Sequence, residues 1–320
     1  MKRDLTIDSI KGFLIILVVL GHIIGSNIDH NINLYIRNLI YLFHMPLFIF
    51  ISGNLTNTDR IKTNTIKLLE TYIVFQIIYY NTQLDLFEMI VYPNWILWYI
   101  FSLISWRLMT YVLKDVIQKH FKVTITTAII LSLLIGYTSL SYPFSLSRTI
   151  VYFPFFLTGY YLRGKNIIKY IKAIKIQTVS IFLIPILAFL TFINFDLTFI
   201  THGSHPYTNL YGIAYRGIYF AIAIILSVTT IKLIKINSLL TNIGLNSLTF
   251  YLYHGLLVKF IHYIVIKYNM PTNPLYILVY TAFVIIILTY TSKFKTLNSF
   301  IFNPLSFIVK KINTNNNCSR

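Results

Sequence analysis

Asp8, Lys11 and His22 stand in and just ahead of the first apolar run of the chain. Lys11 and His22 are separated by ten residues, a basic-x10-His spacing. On a helix that spacing turns about 20° past three full turns, so both side chains share one face, about 16 Å apart along the axis. Asp8, three residues before Lys11, lies on the same face. An ammonium at one end can meet phosphates, and an imidazole at the other can take a proton from a hydroxyl. The structural alternative is a snorkelling lysine with its ion-pair partner and a histidine that packs helices together.

Three further places set reactive side chains among apolar ones. His44 lies in Phe43-His44-Met45-Pro46, with Ser52-Gly53 following. Pro46 removes one backbone donor and bends a helix. Asn246, Ser247 and His254 lie on a later run, where Asn246 and His254 are two turns apart and able to line one broad cavity. Arg148 precedes Tyr152-Phe153-Pro154-Phe155-Phe156 and suits either an anionic group or an anchor at an interface. Interhelical hydrogen bonding is the alternative for each histidine. Trp95 and Trp98 fall where an interfacial aromatic belt is expected. His202 and His205 lack a third ligand or nearby carboxylates, so no metal site is expected.

What positions these groups follows from composition. Of 320 residues, 56% are hydrophobic and 11% charged, against roughly 25% charged in soluble domains. That much apolar surface needs a hydrocarbon solvent. Ten apolar runs lie near 10–26, 36–53, 66–81, 94–113, 123–140, 150–163, 176–195, 210–231, 243–266 and 275–292. They are too long and continuous for barrel strands, so the expected fold is an all-α integral membrane bundle of about ten transmembrane helices. With the N-terminus in the cytoplasm, 22 of the 27 Lys and Arg fall in cytoplasmic segments. That bias predicts a multi-pass plasma-membrane protein with both termini cytoplasmic. The first run has no cleavage site after it and is expected to be retained.

The net charge of +18 is dispersed between apolar runs. It therefore suits anionic lipid headgroups better than nucleic acid, and no nucleic-acid partner is expected. The single cysteine, Cys318, excludes an internal disulfide framework and a cysteine-based zinc site. Residues 1–295 form the expected membrane domain, and 296–320 a cytoplasmic segment with a polar tail. The richness in Ile, Asn, Lys and Tyr suggests an AT-rich bacterial genome.

Taken together, these residues resemble the membrane acyltransferase-3 family, particularly its branch similar to fucose 4-O-acetylases. Arg3, Asp8, Lys11 and Gly12 leading to His22 match the family's opening, and FHMPLFIFISG (43–53) matches its second signature. The Trp98 region, Arg148 with YFPFFLTGYYL (152–162), and IGLNSLTFYLYH (243–254) resemble later blocks in the expected order.

The resemblance implies acyl transfer, usually of acetyl, from cytoplasmic acyl-CoA to a hydroxyl of a cell-surface carbohydrate or its lipid-linked precursor. Acetyl-CoA is then a donor substrate, and no permanently bound cofactor is implied. Lys11 and Arg3 would meet the CoA phosphates, His22 would act as base or transient acyl carrier, and Asp8 would orient Lys11. His44, Arg148, His254, Asn246 and Trp98 would bind the acceptor or stabilise an oxyanion. No SGNH-type extracellular domain is present, so a homodimer or a separate extracellular partner stays open. A transporter or flippase for a polysaccharide intermediate is the alternative from another class, since buried charges also line carrier pathways. Such carriers often show paired half-repeats, and none is visible here.

Overall fold

The computed structural model describes residues 4–25, 30–57, 59–79, 85–138, 140, 142–191, 196–294 and 300–301. Among them every regular element is helical. Six helices are long and apolar enough to cross a membrane: Leu5–Ile24, Asn31–Asn54, Trp95–Val112, Gly212–Leu233, Ser247–Lys267 and Pro274–Thr291. This is a multi-pass membrane protein. Its apolar surface confirms the solvent, because Ile266 and Leu275 stay 78% and 67% exposed on helices that water would not tolerate.

In chain order the helices are α1 (Leu5–Ile24), α2 (Asn31–Asn54), α3 (Ile61–Ile78), α4 (Leu86–Val91), α5 (Trp98–Val112), α6 (Lys114–Lys119), α7 (Phe121–Leu134) and α8 (Leu146–Tyr161). There follow α9 (Ile167–Ala173), α10 (Ile176–Thr191), α11 (Thr198–Thr201), α12 (Gly212–Leu233), α13 (Ser238–Leu245), α14 (Ser247–Lys267) and α15 (Pro274–Thr291). Every apolar run of the sequence coincides with a helix, with one correction. The run at 243–266 is broken at Asn246 into α13 and α14. α2 meanwhile continues as helix through Pro46. Of the segment 296–320, only Phe300 and Ile301 lie within the described residues.

Helix α1 is the hub. Asp4 caps it by accepting from the Thr6 amide at 2.8 Å. Its body is apolar on all sides, and Ile10, Leu14, Ile15, Val19 and Ile23 are fully buried, the pattern of an enclosed helix. It crosses α13 at backbone contact. A Cβ on Gly12 would lie 1.9 Å from the Leu240 carbonyl oxygen, and one on Gly244 would lie 1.8 Å from that of Asp8. Only glycine permits that approach. Ser9 and Thr241 share a 2.8 Å hydroxyl hydrogen bond beside the crossing.

Gly244→Val should therefore force the two backbones apart and cost about 1–3 kcal/mol. Gly217→Ala on α12, where an added Cβ meets nothing within 4 Å, should be neutral. Thermal unfolding of the purified variants in detergent checks this, and equal stability of the two would contradict the assigned crossing.

Candidate active site

His22 sits in the last turn of α1, and that turn ends inside the bundle. A helix end leaves carbonyls without intrahelical partners; here Gly21 O still accepts from the Gly25 amide at 3.0 Å, and side chains from two other helices reach this turn as well. Tyr41 of α2 donates its hydroxyl to Gly21 O at 3.1 Å. His262 of α14 donates Nε2–H to Ile23 O at 3.1 Å. Arg37 donates to Gly25 O at 2.8 Å, and its guanidinium also lies 2.8 Å from the Asp196 carboxylate. The position of His22 is thus tied to α2, α14 and the connection that follows residue 195.

Two more histidines close on it. His44 of α2 and His254 of α14 are both buried. His44 Nδ1 lies 2.7 Å from Ile40 O, and His254 Nδ1 lies 2.7 Å from Tyr251 O and 3.1 Å from Phe250 O. A carbonyl can only accept, so each Nδ1 carries the proton, and in the neutral ring each Nε2 keeps a lone pair. The rings of His22 and His254 are 5.3 Å apart between centroids. Neither His44 nor His254 has a spare N–H when neutral. In that tautomer each Nε2 can accept a proton or a hydroxyl hydrogen.

The donor is Arg148. Its guanidinium lies over the Trp98 ring at 5.1 Å, and Trp98 stacks on Tyr152 at 5.7 Å. Arg148 also donates to His202 O at 3.3 Å and to Ser204 Oγ at 3.2 Å. Ser147 donates to Gly203 O at 2.7 Å, and the Tyr152 hydroxyl donates to Thr201 O. Residues 201–204 are thereby stitched onto the first turns of α8. Burial first, and then the neighbouring Arg148 charge, pushes the His202 imidazole down to about 3. His202 is therefore neutral at pH 7 and adds no charge against Arg148.

His22, His44, Trp98, Arg148, Tyr152 and His202 surround a cavity of about 60 Å³. His254 reaches this cavity only through His22. Asn246 is elsewhere: it stands at the α13–α14 break, donating to Asn242 O at 2.9 Å, two residues from the Gly244 contact with Asp8. Asp8 is buried, with Lys11 Nζ 3.4 Å from its carboxylate. Both occupy the end of α1 opposite His22. Arg3 lies outside the described residues. Among the described residues no group of three or more His, Cys, Asp or Glu is disposed to hold a metal.

Sequence reasoning missed Tyr41, Arg37, His262, Tyr152 and the role of Trp95. Trp95 is not merely a belt residue: its ring meets that of His22 edge-on at 5.1 Å. Its backbone holds φ +36, a region that residues with side chains seldom adopt. Asn94 secures that turn, accepting nothing from chance: its side chain donates to Tyr79 O at 2.6 Å and its amide to Gln76 Oε1 at 2.9 Å. The one available signal was Tyr41, three residues before His44 and so on the same helix face.

An acyltransferase domain model matches residues 4–293. A stretch of 67 residues is 46% identical to Nodulation protein NolL of Sinorhizobium fredii, covering 20% of this chain and 18% of that relative. A stretch of 61 residues is 43% identical to Nodulation protein NolL of Mesorhizobium japonicum, covering 18% of this chain and 16% of that relative. The chain thus matches less than a fifth of the length of these curated relatives. No solved structure matches. With a domain match that runs from the cap of α1 to the end of α15 and encloses the whole histidine cavity, the chain belongs to the acyltransferase-3 family of membrane acyltransferases.

Proposed function

We propose that this protein is an O-acetyltransferase of the bacterial plasma membrane. In this reading it has ten spans and cytoplasmic termini, and it moves acetyl from cytoplasmic acetyl-CoA to a hydroxyl of a cell-surface carbohydrate or its lipid-linked precursor, as in the fucose 4-O-acetylase-like branch. The observation that carries this reading is His22 in a cavity with Arg148, at one end of a buried helix whose other end holds Lys11 and Asp8. Lys11, with Arg3, meets the CoA phosphates, and Asp8 orients Lys11. The pantetheine arm spans the intervening distance of about 16 Å along α1.

His22 takes the proton from the acceptor hydroxyl, and the hydroxyl oxygen attacks the thioester carbonyl carbon. Arg148 stabilises the charge that builds on the carbonyl oxygen. The C–S bond then breaks, and the CoA sulfur leaves with the proton that His22 carried. His254, whose ring centroid lies 5.3 Å from that of His22, acts on His22 as a positioning residue. His44 and Trp98 frame the acceptor. The lining by Thr201 and His202 supports acceptor selection by the connection at 196–209, which this reading places outside the membrane.

Radiolabelled acetyl-CoA supplied to membranes expressing equal amounts of each variant tests this reading. His22→Ala should lower transfer to glycan about 10²–10⁴-fold, and unchanged incorporation would overturn the role of His22. Arg148→Gln should reduce kcat about 10²-fold while leaving the KM for acetyl-CoA near the wild-type value. A rise in that KM with kcat unchanged would instead put Arg148 at the donor.

A further inference from the structure

Three buried polar atoms on α3 and α5 have no hydrogen-bond partner among the described residues: Thr65 Oγ1, the Tyr72 hydroxyl and Arg107 Nε. Thr65 and Tyr72 stand two turns apart on one face of α3, and both are buried. α3 packs on α5, where the Tyr72 ring lies 5.5 Å from that of Phe101 and Arg107 donates to Asn64 O at 3.4 Å. Buried polar atoms seldom go without partners, and a cation within a membrane bundle is costly. Among the described residues no carboxylate forms an ion pair with Arg107. A second cation, Lys62 of the first turn of α3, lies 5.1 Å from the ring of Tyr111, one turn beyond Arg107.

This seam lies at the end of the bundle that holds Lys11. α2 turns back from the His22 end of α1 and ends at Asn54, and α3 then starts at Ile61, so Asn64 and Arg107 meet opposite the histidine cavity. Arg107 is half-buried although its Nε is enclosed, so the seam opens there. From Arg107, α5 leads to Trp98 in the cavity wall, about 14 Å along the axis. A hydrocarbon chain would leave all three orphan atoms unpaired. A phosphate suits the guanidinium, and amide or hydroxyl groups suit Thr65 and Tyr72. An acyl-CoA has that constitution, with phosphates followed by a pantetheine arm of amides and a hydroxyl.

We infer that the α3–α5 seam takes the donor and that Arg107 binds a phosphate of acyl-CoA. This rests on the acyl-transfer reading and adds a donor ligand on a second helix to those at the start of α1.

The test is calorimetric binding of CoA to the purified protein in phosphatidylcholine nanodiscs. Arg107→Gln should weaken binding about tenfold or more, the loss expected for one charge-assisted hydrogen bond, and Arg107→Lys should retain more of it. Lys119→Gln, which removes an exposed cation of α6, should bind CoA as wild type does. Equal binding by wild type and Arg107→Gln, or an equal loss in Lys119→Gln, would overturn the inference. So would phosphatidylglycerol retained by wild type and lost from Arg107→Gln with CoA binding unchanged, which would put a lipid phosphate at Arg107. For a variant that fails to fold, photolabelling of wild type decides: CoA with a photoreactive group on its adenine should label peptides within 61–72 and 101–112, and labelling confined to other segments would overturn the assignment. Arg107-dependent CoA binding together with no acetyl transfer to any acceptor would fault the functional reading and leave the site standing.

Discussion

A helix that stops inside a membrane bundle must have its last carbonyls satisfied by protein, because no water is there to do it. At the end of α1, His262 and Arg37 hydrogen-bond Ile23 O and Gly25 O, and Tyr41 adds a second donor to Gly21 O, which already accepts from the Gly25 amide. The same three bonds fix where His22 sits. They also join α1 to α2 and α14, the helices that supply His44 and His254. The Arg37–Asp196 ion pair extends the tie to the stretch that leads to Thr201 and His202 in the cavity wall. Capping and site assembly are one set of interactions.

Proton placement follows from the same backbone economy. His44 and His254 each spend Nδ1–H on a carbonyl of their own helix, one turn back. A buried ring so held presents a lone pair, and in a low dielectric it holds that tautomer firmly. Arg148 is the complement, a charged donor kept in place by Trp98, His202 O and Ser204. Acceptors on one side and a donor on the other suit a reaction that moves a proton while charge builds on an oxygen.

Much of this was legible in the sequence where it depends on a single helix. The face shared by Asp8, Lys11 and His22 needs only 3.6 residues per turn, and α1 is one unbroken helix, so the arithmetic holds. The run at 243–266 reads as one helix, but it breaks just ahead of α14, where Asn246 caps the helix that carries His254 and its carbonyl accepts from the Phe250 amide at 3.1 Å. Contacts between distant segments were not readable either. Nothing in Arg148 and Trp98 taken separately announces their stacking, and the positive φ of Trp95 depends on Gln76 and Asn94. Side chains that cap another helix, such as His262, give no local pattern at all.

The central claim is that the donor enters at the Lys11 end of α1 and the acceptor is acylated at the His22 end, across the bilayer. The most direct measurement uses oriented proteoliposomes with a membrane-impermeant acetyl-CoA on one face and a carbohydrate acceptor on the other. The account predicts transfer only when acetyl-CoA is on the face bearing Lys11 and the acceptor is on the opposite face. Equal transfer with both substrates confined to one face would contradict it.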